Sequence, residues 1–444
     1  MRIIVVGAGA VGSHLAERLS AEPDLEVVVV EADEALANQL QNELDALVIA
    51  GNGSSLGTLE EAGARHTDLL IAVTSSDGAN VLACHAATEL GIPTTIARIE
   101  DPGMREGVDR LGVDIIIDPS AAAATELTEL VGAGGVSELI PFANGNLVMV
   151  GGLVAPGAPL TRGTLDNLRL RTAEWGWVVA AIVRAGRTFV GTGDLRIRAG
   201  DYALVMTTKD HVPDASRLIG LRKVEFRRMV IIGGTRLATL TARLLEQQGF
   251  DVVFVDEDTD RCRRLAQDHP YALVIQGDPT DPAVLEDIEL NRNDVVLALT
   301  GWDEVNVLAC LAAKALGAGM AISRFNRIPY VKLLSGVGID AAISSRLMAA
   351  NVILRYVRQG QVEQVATFSN TDAEAIEIVV EPGSPAVGKN VVDLGLPPGV
   401  VIGGISRNET TFVPDGSSII REGDHIIYFA VPEAIDASSE IFSA

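Results

Sequence analysis

The residues most suited to ligand chemistry form one glycine-rich motif near the start of the chain, Gly7-Ala8-Gly9-Ala10-Val11-Gly12. The apolar run Ile3–Val6 before it is typical of a buried strand, and a helix-period segment follows it. Gly7 allows a tight turn, Gly9 lets a backbone approach a pyrophosphate, and Gly12 lets the helix pack on the strand. The N–H groups and dipole of the helix start attract phosphate. The motif predicts a dinucleotide site, and a tight strand–helix turn without a ligand is the structural alternative.

An acidic residue stands where dinucleotide-binding folds recognise ribose. Glu31 ends the second apolar run, Val27–Val30, 24 residues after Gly7. A carboxylate at this place accepts hydrogen bonds from ribose hydroxyls and repels a 2′-phosphate. We therefore expect NAD(H) to be favoured over NADP(H).

Two hydroxyl side chains, Thr74 and Ser75, follow the strand-like run Leu69–Val73. Ligands bind at the carboxyl ends of the strands in doubly wound sheets, so these hydroxyls could reach the phosphates or the nicotinamide ribose. Capping of the next helix is an equally good role for them. Asn80 lies on that helix, where a surface position is one role, but its recurrence at Asn306 favours a shared structural task, such as subunit packing, over ligand contact.

Two further polar residues are candidates for the same ligand. Arg98 ends the next strand, where a guanidinium could bind phosphate in a bidentate manner. A surface ion pair with Glu100 or Asp101 is the alternative role for Arg98. Asn52 borders the predicted adenine position or is a plain turn residue.

The elements that position these residues alternate in the manner of a doubly wound parallel sheet. The strand-like runs are Ile3–Val6, Val27–Val30, Ala46–Ile49, Leu69–Val73, Thr95–Ala97 and Ile115–Ile117. The helical segments are Val11–Leu19, Glu34–Leu44, Leu56–Glu61, Ala79–Leu90 and Gly103–Leu111. From Ser137 to about Thr208, short β-rich runs separated by Gly and Pro turns predict a small α+β domain.

The chain then repeats itself at an offset of 226 residues. Met229–Gly233 follows the pattern of Ile3–Gly7, and the run Asn80–Cys84 recurs unchanged as Asn306–Cys310. Thr300 and Arg324 are the counterparts of Thr74 and Arg98. The duplication predicts an α/β protein of two tandem repeats, each a Rossmann-like doubly wound parallel sheet followed by a small α+β domain. The expected domains are residues 1–135, 136–220, 228–355 and 360–444.

The second copy departs from the first in its turn, which reads Gly233-Gly234-Thr235-Arg236-Leu237-Ala238. Thr235 stands where Gly9 is, and its Cβ narrows the approach of a pyrophosphate. Arg236 puts a cation beside the same turn. Asp256, the counterpart of Glu31, still marks a ribose partner. The second site is therefore empty, weaker than the first, or tuned to another nucleotide.

Composition limits the classes of partner. The formal net charge of −24 repels nucleic acid and anionic lipid head groups. No apolar run approaches the roughly 18 residues that span a bilayer, and Met1–Val6 is too short for a signal-peptide core. The three cysteines form no disulfide framework, and the six histidines have no metal-ligand spacing. We expect a cytoplasmic protein without direct lipid insertion, and any association with a membrane should run through a protein partner. The acidity is also consistent with a saline habitat.

Several motifs together resemble the regulatory subunits of Trk potassium-uptake systems, which are built from two RCK (KTN) domains. In the first copy they are Gly7–Gly12, Glu31, Gly51–Gly53, Leu59–Gly63, Ala72–Asp77, Asn80 and Ala97–Arg98. In the second copy they are Gly277–Thr280, Thr300 and Leu396–Gly399. The resemblance covers nearly the whole chain, and it implies that each small domain is an RCK C-terminal domain.

The resemblance also implies a function and an assembly. Such a protein binds NAD(H) or adenine nucleotides such as ATP and ADP, and it gates an integral membrane potassium channel of the Trk type. It is cytoplasmic and peripheral on the inner face of the membrane, held there by the channel subunit. It forms a homotetrameric ring, for which the helices Ser120–Val131 and Ser345–Arg355 are the candidate crossovers.

Two other functions use the same nucleotide. A nicotinamide-dependent dehydrogenase needs a positioned proton donor or acceptor. The sequence has no Tyr-x-x-x-Lys motif, no histidine with an evident orienting carboxylate and no catalytic domain, so we expect that the chain is not an enzyme. Regulation of another cation transporter, such as a proton-coupled antiporter, stays open because it would use the same ligands.

Overall fold

The computed structural model describes residues 1–21, 25–44, 46–133, 136–172, 174–221, 225–326, 338–357, 362–368, 370–408 and 410–443. Within these ranges it contains two parallel sheets and two antiparallel sheets in alternation along the chain. The predicted α/β class and the tandem duplication are confirmed. The expected domain boundaries at 135 and 360 lie outside the described residues.

The first parallel sheet has the strand order of a doubly wound fold. Its strands are Arg2–Val6 (β1), Glu26–Glu31 (β2), Leu47–Ala50 (β3), Leu69–Ala72 (β4), Thr94–Arg98 (β5) and Ile115–Ile117 (β6). Its helices are Ala10–Ser20 (α1), Glu34–Glu43 (α2), Leu56–Glu61 (α3), Asp77–Glu89 (α4) and Pro119–Ala133 (α5). The order β3-β2-β1-β4-β5-β6 reverses between β1 and β4, where such sheets bind ligands.

The first antiparallel sheet follows. Its strands are Glu138–Phe142 (β7), Leu147–Leu153 (β8), Trp177–Arg184 (β9), Arg187–Val190 (β10) and Tyr202–Thr208 (β11), in the order β10-β9-β11-β8-β7. The helices of this region are Leu165–Arg171 (α6) and Val212–Ile219 (α7). This is the predicted small α+β domain.

The second parallel sheet repeats the first. Its strands are Arg228–Ile232 (β12), Asp251–Asp256 (β13), Leu273–Gln276 (β14), Asp294–Ala298 (β15), Met320–Arg324 (β16) and Ala341–Ile343 (β17). Its helices are Arg236–Gln247 (α8), Thr259–Asp268 (α9), Pro282–Glu286 (α10), Asp303–Ala315 (α11) and Ser345–Val357 (α12). The order β14-β13-β12-β15-β16-β17 is the same as in the first copy.

The second antiparallel sheet completes the chain. Its strands are Val362–Thr367 (β18), Glu374–Val379 (β19), Val400–Arg407 (β20), Thr410–Phe412 (β21) and His425–Ala430 (β22), in the order β18-β19-β22-β20-β21. Helix Ile435–Phe442 (α13) follows. Among the described helices, none is long and apolar enough to cross a membrane.

Apolar runs form the central strands because both faces of a parallel sheet are covered by helices. Ile3, Ile4 and Val5 of β1 are 0% exposed. Each such side chain contributes about 1.5–3 kcal/mol when it is buried. The strand that carries the glycine turn is therefore held rigidly.

One predicted helix, Gly103–Leu111, is wrong. The structure has two short 3₁₀ turns in its place, Pro102–Met104 and Val108–Leu111. Gly107 and Gly112 flank the second turn with φ of 83° and 81°. A left-handed residue on each side interrupts a right-handed helix, so an α-helix cannot continue through this segment.

The chain divides into two compact units, and the boundaries between them lie within α5, at the start of α12 and within α12. The first unit combines Met1–Ala122 with Ser345–Val352, and the second combines Ala123–Ser344 with Ile353–Ala444. Each of the helices α5 and α12 therefore contributes residues to both units.

The two antiparallel sheets share a hydrophobic core within the second unit. Buried residues of this core include Leu147 and Met206 from the first sheet and Ile427 from the second. The buried carboxylate of Glu377 accepts a hydrogen bond from the Ala143 backbone N–H at 2.9 Å, across the two sheets. The two small domains therefore pack as one body.

Candidate functional site

The first glycine turn brings helix α1 close to the carboxyl end of β1. Gly7 has a φ of +91°, and its N–H donates to the Val30 carbonyl at 2.8 Å. A Cβ at Gly7 would lie 2.7 Å from Thr74 Cγ2, and a Cβ at Gly12 would overlap the Gly7 carbonyl oxygen. The fold itself therefore requires glycine at both positions.

Gly9 is different, because the fold does not require glycine there. Its φ of −63° is open to any residue, and a Cβ would meet no atom of the described chain within 4 Å. As the N-cap of α1, a glycine provides no side chain to cap the helix N–H groups. The open space beside Gly9 thus leaves room for a pyrophosphate next to the N–H donors of the helix start.

The Glu31 carboxylate lies beside the same turn. One oxygen accepts from the Ala8 N–H at 2.6 Å, and the other accepts from the Asp33 N–H at 2.9 Å. These are the two hydrogen bonds that the described residues make to it, and a carboxylate has about four lone-pair sites. Glu31 is half-buried, so it keeps acceptor capacity toward a ribose.

Asn52 lies in the loop after β3, at the same edge of the sheet. Its Oδ1 accepts a hydrogen bond from the Ser54 N–H at 2.9 Å, which is the geometry of an Asx turn. Its side chain is exposed. Asn52 therefore has the turn role that the sequence left open.

Asn80 connects the ends of two neighbouring strands. Its Oδ1 accepts from the Thr74 N–H at 2.9 Å and from the Thr74 hydroxyl at 2.7 Å, and its Nδ2 donates to the Arg98 carbonyl at 2.8 Å. Asn80 is 0% exposed, so it is not the surface residue that was the alternative, and its structural task is to hold the strand ends together rather than to pack subunits. The recurrence of Asn80 as Asn306 was the sequence signal for this task.

Ser76, rather than Thr74 or Ser75, caps the next helix. The Ser76 hydroxyl accepts from the Ala79 N–H at 3.3 Å, while Ser75 is exposed at the edge of the sheet. Asp77, which the sequence did not single out for a role, accepts from the Glu100 and Asp101 N–H groups at 3.0 and 2.7 Å. The loop after β5 is thereby tied to helix α4.

Arg98 forms the ion pair that was its alternative role. Its Nε donates to Glu100 Oε1 at 2.8 Å, and its Nη2 contacts the same oxygen. Both side chains are about one quarter exposed, at 26% and 22%. The guanidinium is therefore held at the ligand edge of the sheet but is partly neutralised by Glu100.

The second copy places its predicted residues at the corresponding edge. Gly233 has a φ of +95°, Arg236 and Leu237 open helix α8, and Asn306 bonds Thr300 and the Arg324 carbonyl as Asn80 does in the first copy. The turn residues Gly234 and Thr235 lie between Gly233 and Arg236. The frame of the site is thus duplicated, and the differences lie in the side chains that fill it.

The described residues contain no group of three or more His, Cys, Asp or Glu side chains that could hold a metal ion. Burial raises the pKa of the Cys84 and Cys310 thiols to about 12. Both thiols therefore stay protonated at neutral pH and behave as packing groups, as the sequence predicted.

The comparisons with known proteins agree with this geometry. Family models of the TrkA-N domain match residues 3–119 and 229–345, and the TrkA-C domain matches residues 375–443. The Trk system potassium uptake protein TrkA homolog of Archaeoglobus fulgidus is 32% identical over 449 residues, covering 100% of both chains. The Trk system potassium uptake protein TrkA of Haemophilus influenzae is 33% identical over 439 residues, covering 97% of this chain and 95% of its own.

Solved structures show the same fold. The RCK domain of GsuK has a TM-score of 0.62 at 19% identity, covering 99% of this chain and 94% of its own. The GsuK channel bound to NAD has a TM-score of 0.61 at 18% identity, covering 99% of this chain and 78% of its own. Because TrkA-N domains occupy both parallel sheets and the relatives match from end to end, the resemblance is confirmed and the chain belongs to the TrkA family of Trk potassium-uptake proteins.

Proposed function

We propose that this chain is a nucleotide-binding regulatory subunit that gates a Trk-type potassium channel, with NAD(H) bound in the first copy. The observation that carries the proposal is the open space at Gly9 in the glycine turn to which the half-buried Glu31 carboxylate is hydrogen-bonded. The names of the relatives support a role in potassium uptake. NAD bound to GsuK, a channel of the same fold, supports the choice of ligand.

Charge distinguishes the candidate nucleotides. NADH, ATP and ADP share an adenosine, but their phosphates place different charge near the start of α1 and near Arg98. Such differences can favour different arrangements of the assembly, since a ligand shifts an equilibrium only by its differential affinity for the states. The free energy that couples a regulatory ligand to a second site is typically about 1–3 kcal/mol. ATP and ADP are therefore proposed as competing ligands of the same site.

The proposed assembly is a homotetrameric ring that docks on the channel from the cytoplasm. The helices α5 and α12 are the proposed crossover elements, because they follow β6 and β17, the edge strands of the two parallel sheets, at corresponding places in the two copies. With a net charge of −24, the ring should meet the membrane through the channel protein rather than through anionic lipid. Light scattering should find tetramers at micromolar concentration, and a monomer with and without nucleotide would contradict the ring.

The nucleotide is proposed as a signal and not as a redox substrate. The groups at the ligand edge are engaged in structural hydrogen bonds, as Thr74 is with Asn80 and Arg98 is with Glu100. Neither has the free, positioned proton that hydride chemistry requires. Steady oxidation of NADH with candidate carbonyl substrates would contradict this part of the proposal.

Calorimetry with a Glu31→Gln variant tests the ligand assignment. The variant keeps the size of the side chain but removes the charge, so NADH should bind about tenfold more weakly and discrimination against NADPH should shrink. Glu17→Gln is the matched control, because Glu17 is an exposed carboxylate on helix α1 with a side-chain exposure of 74%. Equal affinity of the native chain for NADH and NADPH would contradict the role of Glu31.

A further inference from the structure

The side chain of Thr235 fills the position that Gly9 leaves without a side chain in the first copy. Its hydroxyl donates to the Leu299 carbonyl at 2.8 Å and accepts from the Ala238 N–H at 3.3 Å. Leu299 follows β15, so the hydroxyl bridges from the turn after β12 to the neighbouring strand. This is the switch point of the second sheet, where a pyrophosphate would lie. One of the helix N–H groups that would bind phosphate is also already satisfied.

The carboxylate at the ribose position of the second copy, Asp256, is already bonded to groups of the protein. Asp256 accepts from the Gly234 N–H at 2.6 Å and from the Asp258 N–H at 2.8 Å. Arg261 Nε adds contacts to both carboxylate oxygens at 3.0 and 3.1 Å. These four contacts, counted over the described residues, match the capacity of a carboxylate of about four lone pairs. Asp256 is only 4% exposed, whereas Glu31 is half-buried.

The residue that closes the ribose position has an apolar counterpart in the first copy. Arg261 lies three residues after the helix cap Asp258, and Leu36 lies three residues after the helix cap Asp33. Leu36 carries no donor for a carboxylate, so Glu31 keeps its remaining lone pairs. The two copies therefore differ at two corresponding positions. Gly9 of the first copy corresponds to Thr235 of the second, and Leu36 corresponds to Arg261.

We propose that Thr235 and Arg261 close the second Rossmann copy to dinucleotides, so that each chain holds one NAD(H), in the first copy. This inference rests on the proposed function, because it takes the first copy as the NAD(H) site. It assigns different tasks to the two copies. The first senses the nucleotide, and the second is a permanently closed copy that keeps its geometry whether or not nucleotide is present.

The test is the number of NADH molecules bound per full-length chain, measured by native mass spectrometry and calorimetry. The native chain should bind one. The double variant Thr235→Gly/Arg261→Leu, which gives the second copy the side chains of the first, should bind a second NADH. Because loss of Arg261 leaves a buried carboxylate with one partner fewer, the melting temperature is recorded, and Thr235→Gly alone serves as a milder variant with a weaker gain.

The reciprocal variant Gly9→Thr/Leu36→Arg should lose NADH binding at the first copy while the chain stays folded. Two NADH molecules on the native chain would overturn the inference, and so would a folded double variant of the second copy that gains none. A native chain that binds no NADH contradicts the proposed function instead. In that case, NADH binding by the Thr235→Gly/Arg261→Leu variant alone would still support the claim that Thr235 and Arg261 keep NADH out of the second copy.

Discussion

A Gly9→Ala variant is expected to bind NADH at least about tenfold more weakly than the native chain while its fold stays intact. The Cβ would meet no described atom of the protein within 4 Å, and the φ of −63° suits alanine. The added methyl group therefore conflicts only with a ligand that approaches the backbone, as a pyrophosphate does in this turn. A tenfold loss corresponds to about 1.4 kcal/mol of binding free energy.

Calorimetry and thermal denaturation together test this prediction. Gly132→Ala is the matched control, because a Cβ at Gly132 on helix α5 also meets no described atom within 4 Å. Gly12→Ala is the opposite case and should lower the melting temperature without any ligand, since its Cβ would overlap the Gly7 carbonyl oxygen. Unchanged NADH affinity in Gly9→Ala would remove this turn from the site.

An Asn80→Ala variant is expected to lower the free energy of unfolding by about 3 kcal/mol or more. The substitution leaves the Thr74 N–H and the Arg98 carbonyl without their partner at a position that is 0% exposed. Each buried group left unsatisfied costs about 1–3 kcal/mol. The ends of β4 and β5 would also separate, so NADH binding at the first copy should weaken.

Asn306→Ala is the matched control within the same chain. Asn306 is equally buried and makes the corresponding bonds to Thr300 and Arg324. Denaturant titration should show a similar loss of stability for both variants, but only Asn80→Ala should reduce NADH affinity. Equal loss of NADH affinity in the two variants would contradict the assignment of the ligand to the first copy.

Periodicity and repetition were sufficient to predict the fold. The apolar runs Val27–Val30 and Leu69–Val73 were predicted as strands because a short apolar run bounded by turn residues is typical of a strand covered on both faces, and the structure has parallel strands there. The 226-residue offset extended that prediction to the second copy. The failure at Gly103–Leu111 has a local cause, since helical spacing of apolar residues does not reveal that Gly107 adopts a left-handed conformation.

The site was predictable in its backbone but not in its side-chain partners. The spacing of Gly7 and Glu31 fixes which strand ends meet, and the structure joins them through the Ala8 N–H. The pairing of Arg261 with Asp256 depends on a helix face that turns toward the carboxylate, which no motif records. The structural task of Asn80 was predictable from its recurrence at Asn306, but the partners were not, because an amide on a helix does not reveal which strand ends it contacts.

The most direct test of the regulatory role is potassium flux in liposomes that contain this chain and a Trk-type channel that co-purifies with it. The native complex should change its flux when NADH, ATP or ADP is added, and Gly9→Ala should blunt the response to NADH. A complex that stays intact but conducts equally with every nucleotide and with none would contradict gating and leave the chain a structural role alone.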